Sequence, residues 1–169
     1  MAGSDTEARA AERARLREAY LRPVGERPGS SARGLHHTAL ISGDVERTIA
    51  FYQGLLGFPL TEVIENRDYP GSTHFFFDIG NGNLLAFFDF PGLPLARAVE
   101  AYGGVQHIAI SVAQSHLDAV RAALDDKGTP YLGPDRGLTD SIYVQDPDGV
   151  QIELLAQPLR EMDGRHLGD

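Results

Sequence analysis

Two histidines at matching places in a repeated sequence, together with one glutamate, are the residues of this chain best suited to chemistry. The segment LHHTALIS, which begins at Leu35, returns seventy residues later as VQHIAISV, so that His37 and His107 occupy equivalent positions. Glu153 lies near the end of the second repeat unit. Two neutral imidazoles and one carboxylate are the ligand set of an open divalent-metal site. The pattern therefore predicts both a duplicated architecture and a metal centre.

Strand alternation and the cost of burying a charge also support a functional role for these residues. Residues two apart on a strand share a face, so His36 points away from His37, and we interpret His36 as a structural residue. Glu153 lies in an apolar strand segment, where its carboxylate must face either water or a cation. The alternative is that His37 and His107 are cavity residues of a metal-free binding protein.

Two further side chains are candidates for catalytic roles. Tyr143 precedes Glu153 by ten residues across the turn DPDG, so the two are expected on adjacent strands, where a phenol can donate to a bound substrate. His74 shares strand parity with Phe76, whose equivalent in the second unit is Tyr143, and is expected to face the same cavity as an acid or base. For both residues the alternative is a packing role.

The elements that must position these residues follow the same order twice. In the first unit LHHTALIS is predicted as a strand and VERTIAFYQGLL as a helix, with Asp44 as N-cap and Gly57 as the stop. Three predicted strands follow it, namely FPLTEVIE, STHFFFDI and LLAFFDF. The second unit repeats this order with VQHIAISV, the helix SHLDAVRAALDDKG, TPYL, SIYVQD and VQIELL. Each unit is therefore predicted as β-α-β-β-β.

Aligning the two units shows where their symmetry breaks. The first strands align at an offset of 70 residues and the last hairpins at an offset of 67, which places Phe76 on Tyr143 and Ala86 on Glu153. A difference of three residues belongs in loops. The first unit thus has an alanine where the second has a carboxylate, and we expect a site with three protein ligands.

The two modules lie in one predicted domain, which is preceded by an extension and followed by a tail. Residues 1–33 are predicted as a helical extension followed by a linker that contains proline and glycine. Residues 34–157 form the predicted domain, with modules 34–90 and 104–157, and residues 158–169 form a C-terminal tail.

Composition restricts the partners of this domain. With 169 residues and 42% hydrophobic content, the chain is long enough for one compact domain with a core. The 24 acidic residues against 15 basic ones give a formal charge of −9, which disfavours nucleic acid and anionic membranes as partners. The absence of cysteine excludes thiolate ligands. The chain has neither an apolar run of the ~20 residues that span a bilayer nor a signal peptide, and we expect a cytoplasmic protein.

The segments HTALISGD, FYQGLLGF and YVQDPDGVQIEL resemble the first strand, helix end and last hairpin of the vicinal oxygen chelate superfamily. This superfamily includes glyoxalase I, fosfomycin- and bleomycin-resistance proteins, methylmalonyl-CoA epimerase and extradiol dioxygenases. The resemblance implies an α+β fold in which two tandem βαβββ modules, related by pseudo-twofold symmetry, form a partly open, barrel-like sheet around a metal cavity. It also implies a homodimer, and some members of the superfamily build the site from residues of both chains.

Carried over by position, the resemblance makes His37, His107 and Glu153 the metal ligands. Glyoxalase I and the epimerases resemble this chain but have Glu or Gln as a fourth ligand at the place of Ala86. Three ligands leave room for a substrate that chelates through two oxygens and for O2, as in extradiol dioxygenases. We therefore expect a mononuclear Fe(II) enzyme acting on a small catechol or enediol, with His74 as acid or base and Tyr143 as an orienting residue.

Two alternatives stay open at this point, and a third is disfavoured. One is a non-redox lyase, isomerase or transferase with Mn(II), Ni(II) or Zn(II), in which Glu62, Glu65 or His74 is the base. Another is a bleomycin-type protein that binds an aromatic molecule without catalysis. A fosfomycin-type transferase is disfavoured, because Ala39 replaces the threonine of that group and residues 75–90 contain no Lys or Arg, which leaves only Arg67 or Arg136 to approach a phosphonate.

Overall fold

The computed structural model describes residues 2–133 and 140–159. The chain divides into two units, of which one is Gly34–Leu159 and the other contains the segment up to Arg33. In that N-terminal segment helix α1 spans Ala2–Tyr20, as predicted, and a single 3₁₀ turn spans Val24–Glu26. None of the helices described is long and apolar enough to cross a membrane. Arg136 and residues 160–169 of the predicted tail lie outside the described residues.

The unit Gly34–Leu159 contains two four-stranded sheets with the same arrangement. The strands of the first sheet are β1 (His37–Ile41), β2 (Leu60–Glu65), β3 (Thr73–Asp78) and β4 (Leu84–Phe88), in the lateral order β1-β4-β3-β2. Those of the second are β5 (Ile108–Ser111), β6 (Tyr131–Leu132), β7 (Ser141–Gln145) and β8 (Gln151–Leu155), in the order β5-β8-β7-β6. Within each sheet the first and last strands pair in parallel and the other pairs are antiparallel. The predicted α+β fold of two βαβββ modules is confirmed, and neither sheet closes into a barrel across the described strands.

The register of the two sheets makes the predicted equivalence of the modules explicit. One row of paired residues crosses the first sheet through Ala39, Ala86, Phe76 and Glu62. The corresponding row of the second sheet consists of Ala109, Glu153, Tyr143 and Leu132. Ala86 and Glu153 are therefore structural counterparts, as the sequence offsets predict.

The helix of the first module differs from the prediction in its second half. The Asp44 side chain accepts a hydrogen bond from the Arg47 N–H at 2.9 Å and so caps α2 (Val45–Ile49), as expected. The segment Ala50–Leu55 continues as a π-helix, and the prediction of one α-helix through Leu56 was wrong there. The wider turn of a π-helix brings the adjacent Phe51 and Tyr52 onto the same buried face as Leu56. An α-helix would spread these three side chains over a wider arc.

The second helix follows its prediction closely. Helix α3 spans Gln114–Lys127 and ends at Gly128, whose φ of +62° is the left-handed conformation that glycine adopts without steric cost. His107 precedes β5 instead of lying within it, because regular pairing of that strand begins at Ile108.

The core lies on the helix side of the two sheets. Alternation divides the aromatic residues of β3 and β4, since Phe75, Phe77 and Phe87 are fully buried against Tyr52, whereas Phe76 and Phe88 are only half buried on the opposite face. Buried residues of both modules belong to one cluster, which includes Leu117, Val120 and Leu124 of α3 and Ile142, Val144, Ile152 and Leu154 of β7 and β8. The two modules thus share a core.

A buried hydrogen bond joins the modules beside this core. The Tyr52 hydroxyl donates to Asp146 Oδ2 at 3.0 Å, and Asp146 Oδ1 accepts the backbone N–H groups of Asp148 and Val150. Burial raises the pKa of the Asp146 carboxyl, and the hydrogen bonds it accepts oppose that rise. The same environment, together with the Asp146 charge, raises the pKa of the Tyr52 phenol well above 10. The turn between β7 and β8 is therefore fixed by a residue of the first module.

We expect Tyr52→Phe to lower the free energy of unfolding by about 1–3 kcal/mol, because it leaves a buried carboxylate oxygen without its donor. The matched control is Tyr131→Phe, which removes a phenol that donates at 3.0 Å to Asp125, a bond exposed to solvent. We expect that control to cost less than about 0.5 kcal/mol. Urea unfolding measures both values, and equal losses in the two variants would show that the Tyr52 bond has no special role in stability.

Candidate metal centre

Glu153 lies at the centre of a small polar cluster in the second module. The residue is 7% exposed, its Oε1 accepts a hydrogen bond of 2.6 Å from the Tyr143 hydroxyl, and its Oε2 lies 3.1 Å from His107 Nε2. The rings of His107 and Tyr143 meet edge to face at a centroid distance of 5.6 Å. The structure thus brings together three of the five site residues predicted from the sequence.

A chain of hydrogen bonds orients the His107 ring. Gln106 Nε2 donates to Glu100 Oε1 at 3.1 Å, which turns the amide oxygen of Gln106 toward His107 Nδ1. A neutral imidazole that donates from Nδ1 to this oxygen presents the lone pair of Nε2 to the Glu153 side. Sequence reasoning missed Gln106 and Glu100, although the glutamine immediately before His107, absent before His37, was a readable signal.

This donor set fits a divalent cation. His107 Nε2 and a nearly buried carboxylate oxygen of Glu153 face each other at 3.1 Å, and no Lys or Arg pairs with Glu153 within the described ranges. A carboxylate without a lysine or arginine partner is costly to bury, and a cation held between the imidazole nitrogen and the carboxylate would offset that cost. Neutral histidine held by an outer hydrogen bond is the usual state of a metal-ligating imidazole.

His37 lies in the first module, at the start of β1, where it is exposed. Its Nδ1 is 2.9 Å from Nδ1 of His36, so the two neighbouring rings interact although their positions on the strand alternate. In residues 2–133 and 140–159, no three side chains of His, Asp or Glu are close enough together to hold a metal ion. A single chain therefore presents His37 separately from the pair His107 and Glu153.

His74 lies on the same face of the first sheet as the half-buried phenylalanines. Its ring stacks on Phe88 at a centroid distance of 3.8 Å and lies 4.2 Å from that of Phe76. Burial lowers the pKa of His74, and the nearby imidazole of His37 lowers it further. Its Nε2 atom is buried without a hydrogen-bond partner among the described residues, so the hydrogen-bonding capacity of this nitrogen is unmet there.

The aromatic contacts continue from His74 toward the end of β4. Phe88 stacks on Phe90 at 6.1 Å, and Phe90 meets Tyr69 edge to face at 5.4 Å. We call His74, Phe88, Phe90 and Tyr69 the aromatic row. The row gives this face of the first sheet an uncharged, flat surface of the kind on which aromatic groups stack.

The other acidic and basic candidates occupy different environments. Glu62 is exposed in the row of Ala86 and Phe76, whereas Glu65 accepts a hydrogen bond from the Gly71 N–H at 3.0 Å. Arg67 is exposed and pairs with Asp68 at 3.1 Å, and this bond lowers the pKa of the Asp68 carboxyl. Both carboxylates proposed as bases are exposed, and that of Glu65 already accepts a backbone hydrogen bond.

Comparison with known proteins agrees with this architecture. Residues 34–154 match the family described as the glyoxalase/bleomycin resistance protein/dioxygenase superfamily. The lactoylglutathione lyase of Haemophilus influenzae is 36% identical over 125 residues, which cover 70% of this chain and 89% of that enzyme. Among solved structures, the trypanothione-dependent glyoxalase I of Leishmania major is 28% identical, with a TM-score of 0.60 over 73% of this chain and 86% of its own.

A dioxygenase also lies among the structural neighbours. A Bacillus subtilis protein classed provisionally as a dioxygenase is 26% identical and has a TM-score of 0.62, with coverage of 72% of this chain and 40% of its own. The family match extends over both modules and over every ligand candidate. The chain therefore belongs to the glyoxalase/bleomycin resistance protein/dioxygenase superfamily.

Proposed function

We propose that this protein is a mononuclear metal enzyme in which His37, His107 and Glu153 hold a divalent cation and the substrate chelates it through two neighbouring oxygens. The observation that carries this proposal is the buried Glu153 carboxylate facing the Nε2 of a histidine whose Nδ1 is already hydrogen-bonded. When bound, the cation supplies Lewis-acid polarisation of the substrate oxygens. Tyr143 donates to Glu153 and so orients the carboxylate.

The reaction that we favour is a non-redox isomerisation or lyase reaction of the glyoxalase kind. Support comes from the lactoylglutathione lyases, whose similarity extends over most of the domain. Such chemistry requires a group that moves a proton on the substrate. Glu62 and His74 both lie on the face of the first sheet that also presents His37, and a neutral His74 with an unpartnered Nε2 is suited to accept a proton. We expect Mn(II), Ni(II) or Zn(II) as the cation of this reaction.

A second candidate is an Fe(II) dioxygenase of the extradiol kind, and Ala86 is the observation that favours it. The methyl group of Ala86 stands at the structural counterpart of Glu153 and supplies no ligand. A site with only three protein ligands has room for a bidentate substrate and for O2. The similarity to the B. subtilis protein supports the same alternative.

We further propose that the active form is a homodimer in which one chain supplies His37 and its partner supplies His107 and Glu153. Support comes from the separation of these ligands among the described residues of one chain and from the exposure of His37 at the start of β1. An isologous pair of chains would form two such sites.

The ligand assignment predicts that Glu153→Ala, His107→Ala and His37→Ala each abolish retention of the metal, because two protein ligands hold a divalent cation weakly. Metal analysis by mass spectrometry after anaerobic purification, with circular dichroism as a check of folding, measures this. Glu62→Ala is the matched control, since it removes an exposed carboxylate of the same sheet face without removing a proposed ligand. Full metal content in a folded Glu153→Ala protein would refute the assignment.

The reaction class predicts that protein loaded with Ni(II), Mn(II) or Zn(II) isomerises adducts of α-oxoaldehydes with thiols and consumes no O2. Two assays on the same preparation decide between the candidates, namely ultraviolet absorbance for the isomerisation and an oxygen electrode with a panel of catechols. Iron near one atom per chain with catechol-dependent O2 consumption would replace the first candidate by the second. Metal-loaded protein that binds ligands but is inactive in both assays would contradict both.

The shared site predicts that a hybrid dimer of one His37→Ala chain and one Glu153→Ala chain regains a complete site. The two chains carry different affinity tags, are produced together and are purified through both tags. We expect the hybrid to hold about one metal ion per dimer, about half of the wild-type content, whereas either variant alone holds none. A stable hybrid that holds no metal would place all three ligands within one chain.

A further inference from the structure

A cavity of about 770 Å³ lies along the free edge of β1 and under the segment that joins the two modules. Ala39 and Ile41 of β1 form one wall of the cavity. Phe90, which belongs to the aromatic row, forms another. Ala96 of the joining segment and Val105, at the start of the second module, also line the cavity. The volume of the cavity is in the range of small-molecule binding sites.

The cavity begins two residues along β1 from the proposed ligand His37. Ala39 and Ile41 share a strand face with His37, at two and four residues along β1. With a strand rise of about 3.3 Å per residue, these positions are about 7 and 13 Å from His37. A substrate whose oxygens lie at His37 therefore reaches the cavity with an arm of ordinary length.

The walls of the cavity favour an uncharged arm. Most of its lining side chains are aliphatic or aromatic, and its charged members are Asp89, Arg97 and Asp148. Both carboxylates already accept backbone hydrogen bonds, since Asp89 Oδ1 accepts from the Thr73 N–H and Asp148 Oδ2 accepts from the Gly43 N–H. With two carboxylates against one guanidinium, the lining disfavours an anionic arm.

The outer wall is held in place by the second module. The Ala98 N–H donates to the Asp148 carbonyl at 3.1 Å, which ties the joining segment to the turn between β7 and β8. At Gly149 of that turn φ is +92°, and an added Cβ would lie 3.2 Å from the Ala98 carbonyl oxygen, so the close approach depends on a glycine. The joining segment is thus fixed against the turn between β7 and β8.

We infer that this cavity binds an uncharged, apolar or aromatic arm of the substrate, so that the substrate is larger than a three-carbon oxoaldehyde. This inference rests on the proposed metal site, because it places the chelating oxygens at His37. The arm extends along Ala39 and Ile41 and packs against Phe90. The aromatic row and the cavity together then determine specificity, while the metal ligands bind the part common to all substrates.

The test compares two hydroxamates, which chelate through two neighbouring oxygens, on the metal-loaded full chain by isothermal titration calorimetry. Acetohydroxamate has no arm, and 4-phenylbutanohydroxamate carries an uncharged aryl arm of suitable length. We expect the aryl compound to bind about 10- to 100-fold more tightly, from the apolar surface that it buries. Ala96→Phe, which fills the cavity, should weaken the aryl compound about tenfold or more and change acetohydroxamate less than threefold. Ala122→Phe, an equal enlargement on the exposed side of α3, should change neither.

The outcomes separate this inference from the proposed function. If the chain retains metal and binds acetohydroxamate, but the aryl arm adds nothing or Ala96→Phe weakens both compounds equally, the cavity is not the binding site of the arm. If the chain retains no metal and binds neither hydroxamate, the proposed metal site itself fails, and with it the premise of the inference.

Discussion

The parallel pairing of the first and last strands of each module is the constraint on which the site depends. Parallel strands cannot be joined by a tight turn, so the helix and two further strands of each module form the connection between them. In the second module this pairing sets Ala109 beside Glu153 and brings the carboxylate to His107. In the first module the same pairing sets Ala39 beside Ala86. One topology, used twice, therefore produces two proposed half-sites, one with a histidine and a carboxylate and one with a histidine alone.

The cost of burying Glu153 explains the arrangement around it. A carboxylate that is only 7% exposed requires hydrogen bonds or a cation, and the phenol of Tyr143 satisfies one of its oxygens. The other oxygen faces His107, whose ring is oriented through Gln106 and Glu100. A cluster built to improve stability alone would be better served by an apolar residue at position 153. The retention of a charge there is the kind of local conflict that functional sites show.

Much of this could be predicted from the sequence, and the limits have physical reasons. Strand alternation and the offsets of 70 and 67 residues were enough to predict both modules and the equivalence of Ala86 and Glu153. They also predicted the proximity of Glu153 and Tyr143. The π-helix at Ala50–Leu55 was not predictable from periodicity, because it arises from packing of adjacent aromatic residues in the shared core. The network through Gln106 and Glu100 depends on side-chain rotamers in the joining segment, which carry no periodic signal. The assembly of His37 with the other ligands stays a proposal.

The contacts between the modules connect the stability of the fold to the geometry of the half-site. Asp146 begins the turn that joins β7 and β8, and these two strands carry Tyr143 and Glu153. Tyr52 of the first module donates to Asp146, while Asp148 of the same turn accepts from Gly43. A shift of the first module would thus act directly on the hairpin that presents the carboxylate. Because the joining segment that lines the cavity is tied to the same turn through Ala98, one anchored hairpin fixes both the proposed ligand Glu153 and one side of the cavity.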